Sequence, residues 1–113
     1  KLYGAEQFLT QLVESSRGLV RLRRGRLDEA DAIFARALAA IEPDFGPDHH
    51  VVGEILHFQG ELRRLQGRSE EARLLFDRAL AIRAKVFGDR AALTEETRAE
   101  LRALDAESPS AGP

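Results

Sequence analysis

The sequence predicts an all-α fold, a helical-hairpin repeat solenoid of two full 42-residue repeats followed by a C-terminal closing helix. The first observation is internal repetition: Gly25–Gly46 and Gly67–Gly88 share eleven of 22 positions, where chance gives about two or three. A repeat of this length is typical of stacked supersecondary units. The second observation is helical spacing of the apolar residues in each copy. The third is that Gly25 and Gly67, which open these segments, can take the left-handed conformation that ends a helix.

The first helices of the two copies are expected near residues 6–24 and 49–66. Each carries apolar residues at the same repeat positions, spaced to form one stripe along a helix. The stripe positions are Leu9, Val13 and Val20 in copy one, and Val51, Ile55 and Leu62 in copy two.

Glycine interrupts both of these helices at one repeat position, as Gly18 and Gly60. Glycine inside a helix costs about 1 kcal/mol relative to alanine, so its presence in both copies indicates a packing requirement. We expect the two helices of each copy to cross there with no room for a side chain. Gly18 would then face Ala30, and Gly60 would face Ala72.

The second helices are expected near residues 28–42 and 70–87. Their apolar residues follow the 3.6-residue helical period. These residues are Ala30, Ile33, Phe34, Ala37, Leu38 and Ile41 in copy one, and Ala72, Leu75, Phe76, Ala79 and Leu80 in copy two. Pro43 has no counterpart in copy two, where Lys85 stands. Because proline removes a helix hydrogen bond and restricts the residue before it, we expect the helix to kink or end near Ile41.

The closing helix is expected near residues 93–105, and no strand is expected anywhere. Its shared face carries Leu93, Thr97, Leu101 and Leu104. Thr94 is placed to cap its N-terminus. The chain thus divides into repeats at 5–46 and 47–88, the closing helix at 89–107, and a disordered tail or linker at 108–113. Residues 1–4 resemble 85–88 and are expected to be the remnant of an upstream repeat.

Composition excludes several classes of function. The net charge of −2 gives no overall field that favours nucleic acid or an anionic membrane. No apolar run approaches the roughly 18 residues that a membrane-spanning helix needs. The absence of cysteine rules out disulfides, thiolate zinc sites and cysteine nucleophiles. We therefore expect no nucleic-acid partner, no membrane partner, and a cytoplasmic protein.

No residue pattern favours catalysis or a metal. His50 and His57 are seven residues apart, whereas a zinc pair on a helix prefers a spacing of three or four; a capping or surface role is expected for the histidines. The acidic pairs Asp28-Glu29 and Glu70-Glu71 begin helices, where the helix dipole stabilises negative charge. The sequence therefore predicts no enzyme, no catalytic residue, no metal site and no cofactor.

A basic stretch runs through the end of the first helix without an acid inside it. It comprises Arg17, Arg21, Arg23, Arg24 and Arg26. One interpretation is a phosphate-binding surface, since arginine matches phosphate geometry. The other is a solvated helix face, or a patch that meets a neighbouring acidic segment such as residues 89–107. No aromatic residue interleaves the arginines, which argues against single-stranded nucleic acid.

Together these residues resemble the tetratricopeptide repeat. The family has a small residue in the first helix, a glycine between the helices and A-x3-F-x2-A in the second. Copy one has these at Gly18, Gly25, Ala30, Phe34 and Ala37, and copy two at Gly60, Gly67, Ala72, Phe76 and Ala79. The 42-residue period and the segments 45–49 and 78–83 resemble the kinesin-light-chain-like subclass. The resemblance extends from residue 1 to about residue 105.

What the resemblance implies is a right-handed solenoid that binds a peptide or protein segment in a concave groove, without catalytic residues. The groove side would carry Leu12, Ser15, Leu19, Leu22 and Arg23 in copy one, and Glu54, His57, Glu61, Arg64 and Leu65 in copy two. Leu12, Leu19 and Leu22 have a second interpretation, as residues that pack on an upstream repeat.

The leading functional hypothesis is a protein-interaction scaffold inside a larger regulatory or signalling protein. A structural spacer or oligomerisation array without a specific ligand is the alternative. A peptide-responsive regulatory domain attached to an enzyme or transcription factor is the third. Self-association through an exposed apolar face of the first repeat is also expected, since such faces bind partners.

Overall fold

The computed structural model describes residues 2–107, with side chains at residue 6 and from residue 8 onward. Five helices follow one another along the chain. They are α1 (Leu2–Arg23), α2 (Leu27–Phe45), α3 (His50–Leu65), α4 (Ser69–Phe87) and α5 (Ala92–Glu107). Residues 2–107 contain no strand. The predicted all-α repeat fold is therefore confirmed, while the predicted tail at 108–113 lies outside the described residues.

The helices pair as two hairpins, α1 with α2 and α3 with α4, and α5 packs on α4. The stack measures 56 × 32 × 21 Å, the elongated shape expected of units that contact mainly their neighbours. Helix α1 begins at Leu2, four residues before its predicted start, so Leu2–Gly4 belong to the first turn of α1. The assignment of residues 1–4 to an upstream repeat stays a prediction.

Glycine ends the first helix of each hairpin as predicted. Gly25 and Gly67 have φ of +75° and +78°, a backbone conformation that costs glycine little. The N–H of Gly25 donates to the carbonyl of Leu22 at 3.0 Å, and that of Arg26 donates to the carbonyl of Arg21 at 2.8 Å. This pair of bonds is the Schellman motif. Copy two repeats it around Gly67, so the two hairpins turn in the same way.

The helices of each hairpin cross closely at Gly18 and Gly60, as the sequence predicted, but the facing residue was predicted wrongly. A Cβ atom at Gly18 would lie 2.7 Å from Cε1 of Phe34, and one at Gly60 would lie 2.7 Å from Cε1 of Phe76. The contact is therefore with the phenylalanine ring, one helical turn beyond the expected Ala30 and Ala72. A large ring, rather than a small side chain, occupies the space that glycine leaves.

The prediction that α2 ends or bends near Ile41 is wrong about its end, because α2 continues through Pro43 to Phe45. Proline there removes only the bond to the carbonyl of Ala39, which lies at an exposed position of the last turns. The helix closes normally, since the N–H of Gly46 donates to the carbonyl of Glu42 at 2.9 Å. Copy two ends in the same way at Gly88.

Two apolar clusters hold the stack together. The main cluster joins α1 to α4 and includes Phe34, Ile41, Ile55 and Leu62. The smaller cluster joins α4 to α5; its members are Ala72, Phe76, Leu101 and Leu104. Helix α3 lies between α2 and α4 and is therefore the most buried helix of the described chain.

The apolar stripes of α1 and α3 occupy the same repeat positions but differ in burial. Val51, Ile55 and Leu62 of α3 lie on the side opposite Gly60, toward α2, and are 0–1% exposed. Their counterparts on α1 are Leu9, Val13 and Val20, with exposures of 59%, 61% and 44%. The expected apolar surface on the first repeat is therefore present.

Candidate functional site

The ten residues predicted to line a groove lie on α1 and α3, but they differ in what they offer to a ligand. Ser15, Leu22, His57 and Glu61 are buried; Leu12, Leu19, Glu54 and Arg64 are half-buried; Arg23 and Leu65 are exposed. Only the half-buried and the exposed residues present surface to a ligand in this structure.

The copy-one leucines pack inside the chain. Leu22 belongs to the main cluster, and Leu12 and Leu19 pack against it. The sequence left two interpretations for them, a groove lining or contact with an upstream repeat. Leu22 is fully covered by this core, whereas Leu12 and Leu19 keep part of their surface exposed. The groove role of the three leucines stays a prediction.

Two of the copy-two residues, His57 and Glu61, take part in a largely buried polar network that joins four helices. Arg83 of α4 lies 3.0 Å from Oγ1 of Thr97 on α5, which is 3.0 Å from Nδ1 of His57 on α3. Nε2 of His57 lies 3.1 Å from a carboxylate oxygen of Glu61. The other oxygen of Glu61 accepts a 2.6 Å bond from Arg23 of α1.

The donor and acceptor roles at the two ends of this network are fixed. Arginine only donates and a carboxylate only accepts, so Thr97 accepts from Arg83 and Glu61 accepts from Arg23. The hydroxyl of Thr97 also donates to the carbonyl of Leu93 at 3.4 Å. His57 lies between Thr97 and Glu61 and contacts each of them through one ring nitrogen. Buried polar groups of this kind are stabilising only when they are paired.

The network occupies repeat positions that are mostly apolar one repeat earlier. Arg83, Thr97 and Glu61 stand 42 residues after Ile41, Ile55 and Leu19, and His57 stands after Ser15. Sequence analysis identified His57 and Glu61 as groove residues and missed Arg83 and Thr97. The available signal was an arginine at a position where the other copy has a buried isoleucine.

The expectation that the histidines cap or lie on the surface holds for two of three. Nδ1 of His49 accepts a 3.1 Å bond from the N–H of Val51 and so caps α3. Burial and the neighbouring His50 lower the pKa of His49, which favours the neutral ring that this bond requires. His50 is exposed, whereas His57 is 1% exposed. The surface role is therefore wrong for His57, because the packing of α5 over α3 and α4 encloses it.

Glu61 carries the clearest electrostatic signature in the network. Burial alone would raise the pKa of this carboxyl, but hydrogen bonds from His57 and Arg23 and the charge of Arg23 lower it from 4.5 to about 2. A carboxyl whose pKa is lower in the folded state stabilises the fold above its unfolded pKa. That contribution is lost as the pH falls from about 4.5 toward 2.

We expect acid to weaken the fold partly through Glu61. Thermal unfolding followed by circular dichroism at pH 7, 4.5 and 3 should show the wild-type midpoint falling in the acid range. Glu61→Gln should lower the midpoint at pH 7 and reduce its dependence on pH below 4.5. Asp77→Asn, at an exposed acid in the middle of α4, is the control and should behave as the wild type. An unaltered acid dependence in Glu61→Gln would contradict the role given to this carboxyl.

A metal interpretation of the network is weaker than the ionic one. Ligand atoms of His57, Glu61 and Glu100 lie within 4.8 Å of one another. However, Glu61 is paired with Arg23, and Glu100 lies 3.3 Å from Arg64. A divalent cation would have to compete with these guanidinium groups for both carboxylates. The arrangement therefore favours a network of ion pairs between helices.

The basic stretch at the end of α1 is mostly engaged with acids. Arg17 pairs with Glu14 at 3.5 Å, and Arg21 and Arg26 both pair with Glu29. These pairs are local, and only the Arg23–Glu61 contact reaches another repeat. They favour the solvated-face interpretation over a phosphate surface.

A pocket of about 220 Å³ lies between α1 and α2. Its lining consists of Gln11, Glu14, Ile33, Arg36 and Ala37. Glu14 and Arg36 supply charges of opposite sign. The pocket contains none of the ten predicted groove residues.

No helix within residues 2–107 is both long enough and apolar enough to cross a bilayer.

Comparison with known proteins agrees with the architecture. The sequence model of the family described as Tetratricopeptide repeat matches residues 9–85, well over half of the 113-residue chain. A comparison of this sequence with curated proteins found no match. Repeats of this family generally mediate protein–protein interactions. The match covers both helical hairpins, whose glycine-ended first helices and A-x3-F-x2-A second helices have the expected geometry, and the chain therefore belongs to the tetratricopeptide repeat family.

Proposed function

We propose that this chain binds a peptide or protein segment along the face formed by its first helices, as part of a larger regulatory or signalling protein. The observation that carries the proposal is the surface around Leu65, which is 56% exposed at the end of α3. Leu65 lies one turn beyond Glu61, the partner of Arg23, and next to Arg64. An exposed apolar side chain beside charges of both signs suits a ligand with an apolar anchor next to a charged stretch.

Helix α5 adds acidic groups to this face. Arg64 lies 3.3 Å from Glu100 and 3.5 Å from Glu107. Because these ion pairs are partly exposed, each is worth little to stability and can exchange for a ligand charge. A uniformly acidic ligand would meet Glu54, Glu100 and Glu107, and we therefore expect it to bind poorly. The 42-residue period further supports placing the chain in the kinesin-light-chain-like subclass.

The test is a peptide-library selection on the full chain, followed by two matched variants. Leu65→Asp on α3 should weaken binding of the selected peptides about 5- to 30-fold, since loss of a well-buried anchor contact costs roughly 1–2 kcal/mol. Leu74→Asp is the control, because Leu74 is 71% exposed but lies on the second helix α4. Isothermal titration calorimetry on folded variants compares them. Binding that survives Leu65→Asp and is lost in Leu74→Asp would assign the function to the face formed by the second helices.

A structural or oligomerising array is the second candidate, and the exposed apolar stripe of α1 favours it. This role would operate through a different surface from the one around Leu65. The two candidates are therefore separable by variants in the exposed apolar stripe of α1 and at Leu65.

A further inference from the structure

Two adjacent histidines stand at the junction of the hairpins, where the connection from α2 enters α3. The rings of His49 and His50 are stacked, with centroids 4.5 Å apart and planes inclined by 26°. His49 also lies against Phe8 of α1 and Phe45 of α2, with ring centroids 5.5 Å and 5.2 Å away. One imidazole therefore contacts both helices of the first hairpin at the point where the second hairpin begins.

The position of His49 requires the neutral form of its ring. Nδ1 accepts the 3.1 Å bond from the N–H of Val51 that caps α3, whereas both nitrogens of a protonated imidazole are donors. A cation here would also meet the positive end of the α3 dipole and, whenever His50 is charged, a second cation in the same stack. Protonation of His49 therefore breaks the cap and places charge among aromatic rings.

The charged residues around the pair do not offset this cost. Those nearest along each packed element are Glu6 of α1, Glu42 and Asp44 of α2, Asp48 of the connection, Glu54 of α3 and Lys85 of α4. Asp48 is paired with Lys85 at 3.0 Å. The ion pairs that histidine forms within the described residues all belong to His57. Burial and the charge of His50 are the causes that act on the pKa of His49, and both lower it.

We propose that the His49–His50 pair makes the junction of the two hairpins responsive to pH, so that protonation of His49 releases the first turn of α3 from its cap. The folded chain holds the pKa of His49 below its ordinary value of 6.5, so stability is lost as the pH falls below about 6.5. Copy three has Ala91 and Ala92 at these positions, and the start of α5 therefore has no such pair. The proposal concerns the junction alone and does not depend on the proposed ligand.

The first test follows the histidines of the full chain by NMR between pH 8 and pH 5. His49 should titrate below 6.5, and the N–H resonance of Val51 should shift with the same midpoint because its acceptor is lost. His50→Gln should raise the pKa of His49, since it removes the neighbouring charge and leaves the cap in place. A His49 pKa at or above 6.5 would mean that the surrounding rings stabilise the cation and would overturn the proposal. A Val51 resonance that stays fixed while His49 titrates would do the same.

The second test asks whether the titration opens the junction. The amide protons of Val51 and Gly53 both donate to His49, to its ring and to its carbonyl. Their protection against hydrogen exchange, corrected for the intrinsic pH dependence, should fall between pH 7.5 and pH 5 by about 2- to 30-fold, the range that corresponds to loss of a helix cap. His49→Asn is the matched control, because asparagine is a good capping residue that does not take up a proton in this range. It should keep its protection, and circular dichroism verifies that it folds. Equal losses in the two proteins, or no loss in the wild type, would overturn the proposal.

Discussion

Phe76→Ala is expected to lower the free energy of unfolding by about 3–5 kcal/mol. Phe76 is fully buried, and its ring lies against Gly60 and at 5.4 Å from the ring of His57. It also belongs to the cluster that attaches α5 through Leu104. Glycine has no side chain that could move into the space left by the ring. The cavity should therefore remain largely open, and the destabilisation should lie in the range of large-to-small core substitutions.

Urea unfolding followed by circular dichroism measures this effect. Leu74→Ala on the same helix is the control, since an exposed leucine should change the free energy by no more than about 0.5 kcal/mol. Equal, small effects of the two variants would mean that the ring does not hold the hairpin together.

Gly60→Leu is expected to destabilise the protein by about 1–3 kcal/mol or more, through overpacking. Even its Cβ would approach the ring of Phe76 to 2.7–2.9 Å. The rest of the leucine side chain has no adjoining space, because the ring is enclosed by α3, α4 and α5. The better helix propensity of leucine recovers less than about 1 kcal/mol.

The double variant Gly60→Leu/Phe76→Ala tests the cause directly. If the clash is with the ring, the leucine fills part of the space left by Phe76, and the double variant should lose less stability than the sum of the single variants. The same urea experiment gives all three values. Simple additivity would show that Gly60 and Phe76 do not share one contact.

The arrangement of helices could be predicted because it depends on local signals that both copies repeat. The 3.6-residue apolar period, together with the glycines at 25 and 67, predicts the hairpins. The prediction for the end of α2 was wrong because the effect of proline on a helix depends on where in the helix the proline lies. Pro43 was expected to end α2, but it falls in the last turn, where only one hydrogen bond is lost.

Burial was harder to predict than periodicity. Val13 and Ile55 occupy the same repeat position, yet one is 61% exposed and the other is fully buried. The apolar pattern shows which residues share a face, but not whether another helix covers that face. Leu22 of the predicted groove is likewise buried, because it packs in the main apolar cluster.

The polar network was predicted only in part. His57 and Glu61 were found through the family pattern, whereas Arg83 and Thr97 were not. Arg83 lies on a second helix and Thr97 on α5, so the contact among them depends on how α5 docks. A search for residues that are identical in the two repeats misses these positions, because the residues there differ. A buried position that is apolar in one repeat and charged in the other, such as Ile41 and Arg83, is the signal that would have indicated the polar network.

The separation of the two apolar clusters affects how the folded chain opens. No residue of α5 belongs to the main cluster, and α5 is held by Leu101 and Leu104 together with the polar contacts of Thr97 and Glu96. Detachment of α5 would leave the α1–α4 cluster intact while admitting water to His57 and Arg83. Such a sub-global opening requires less free energy than complete unfolding. We therefore expect a minor four-helix species in the native ensemble, and hydrogen exchange should show the amide protons of α5 exchanging ahead of those in α3.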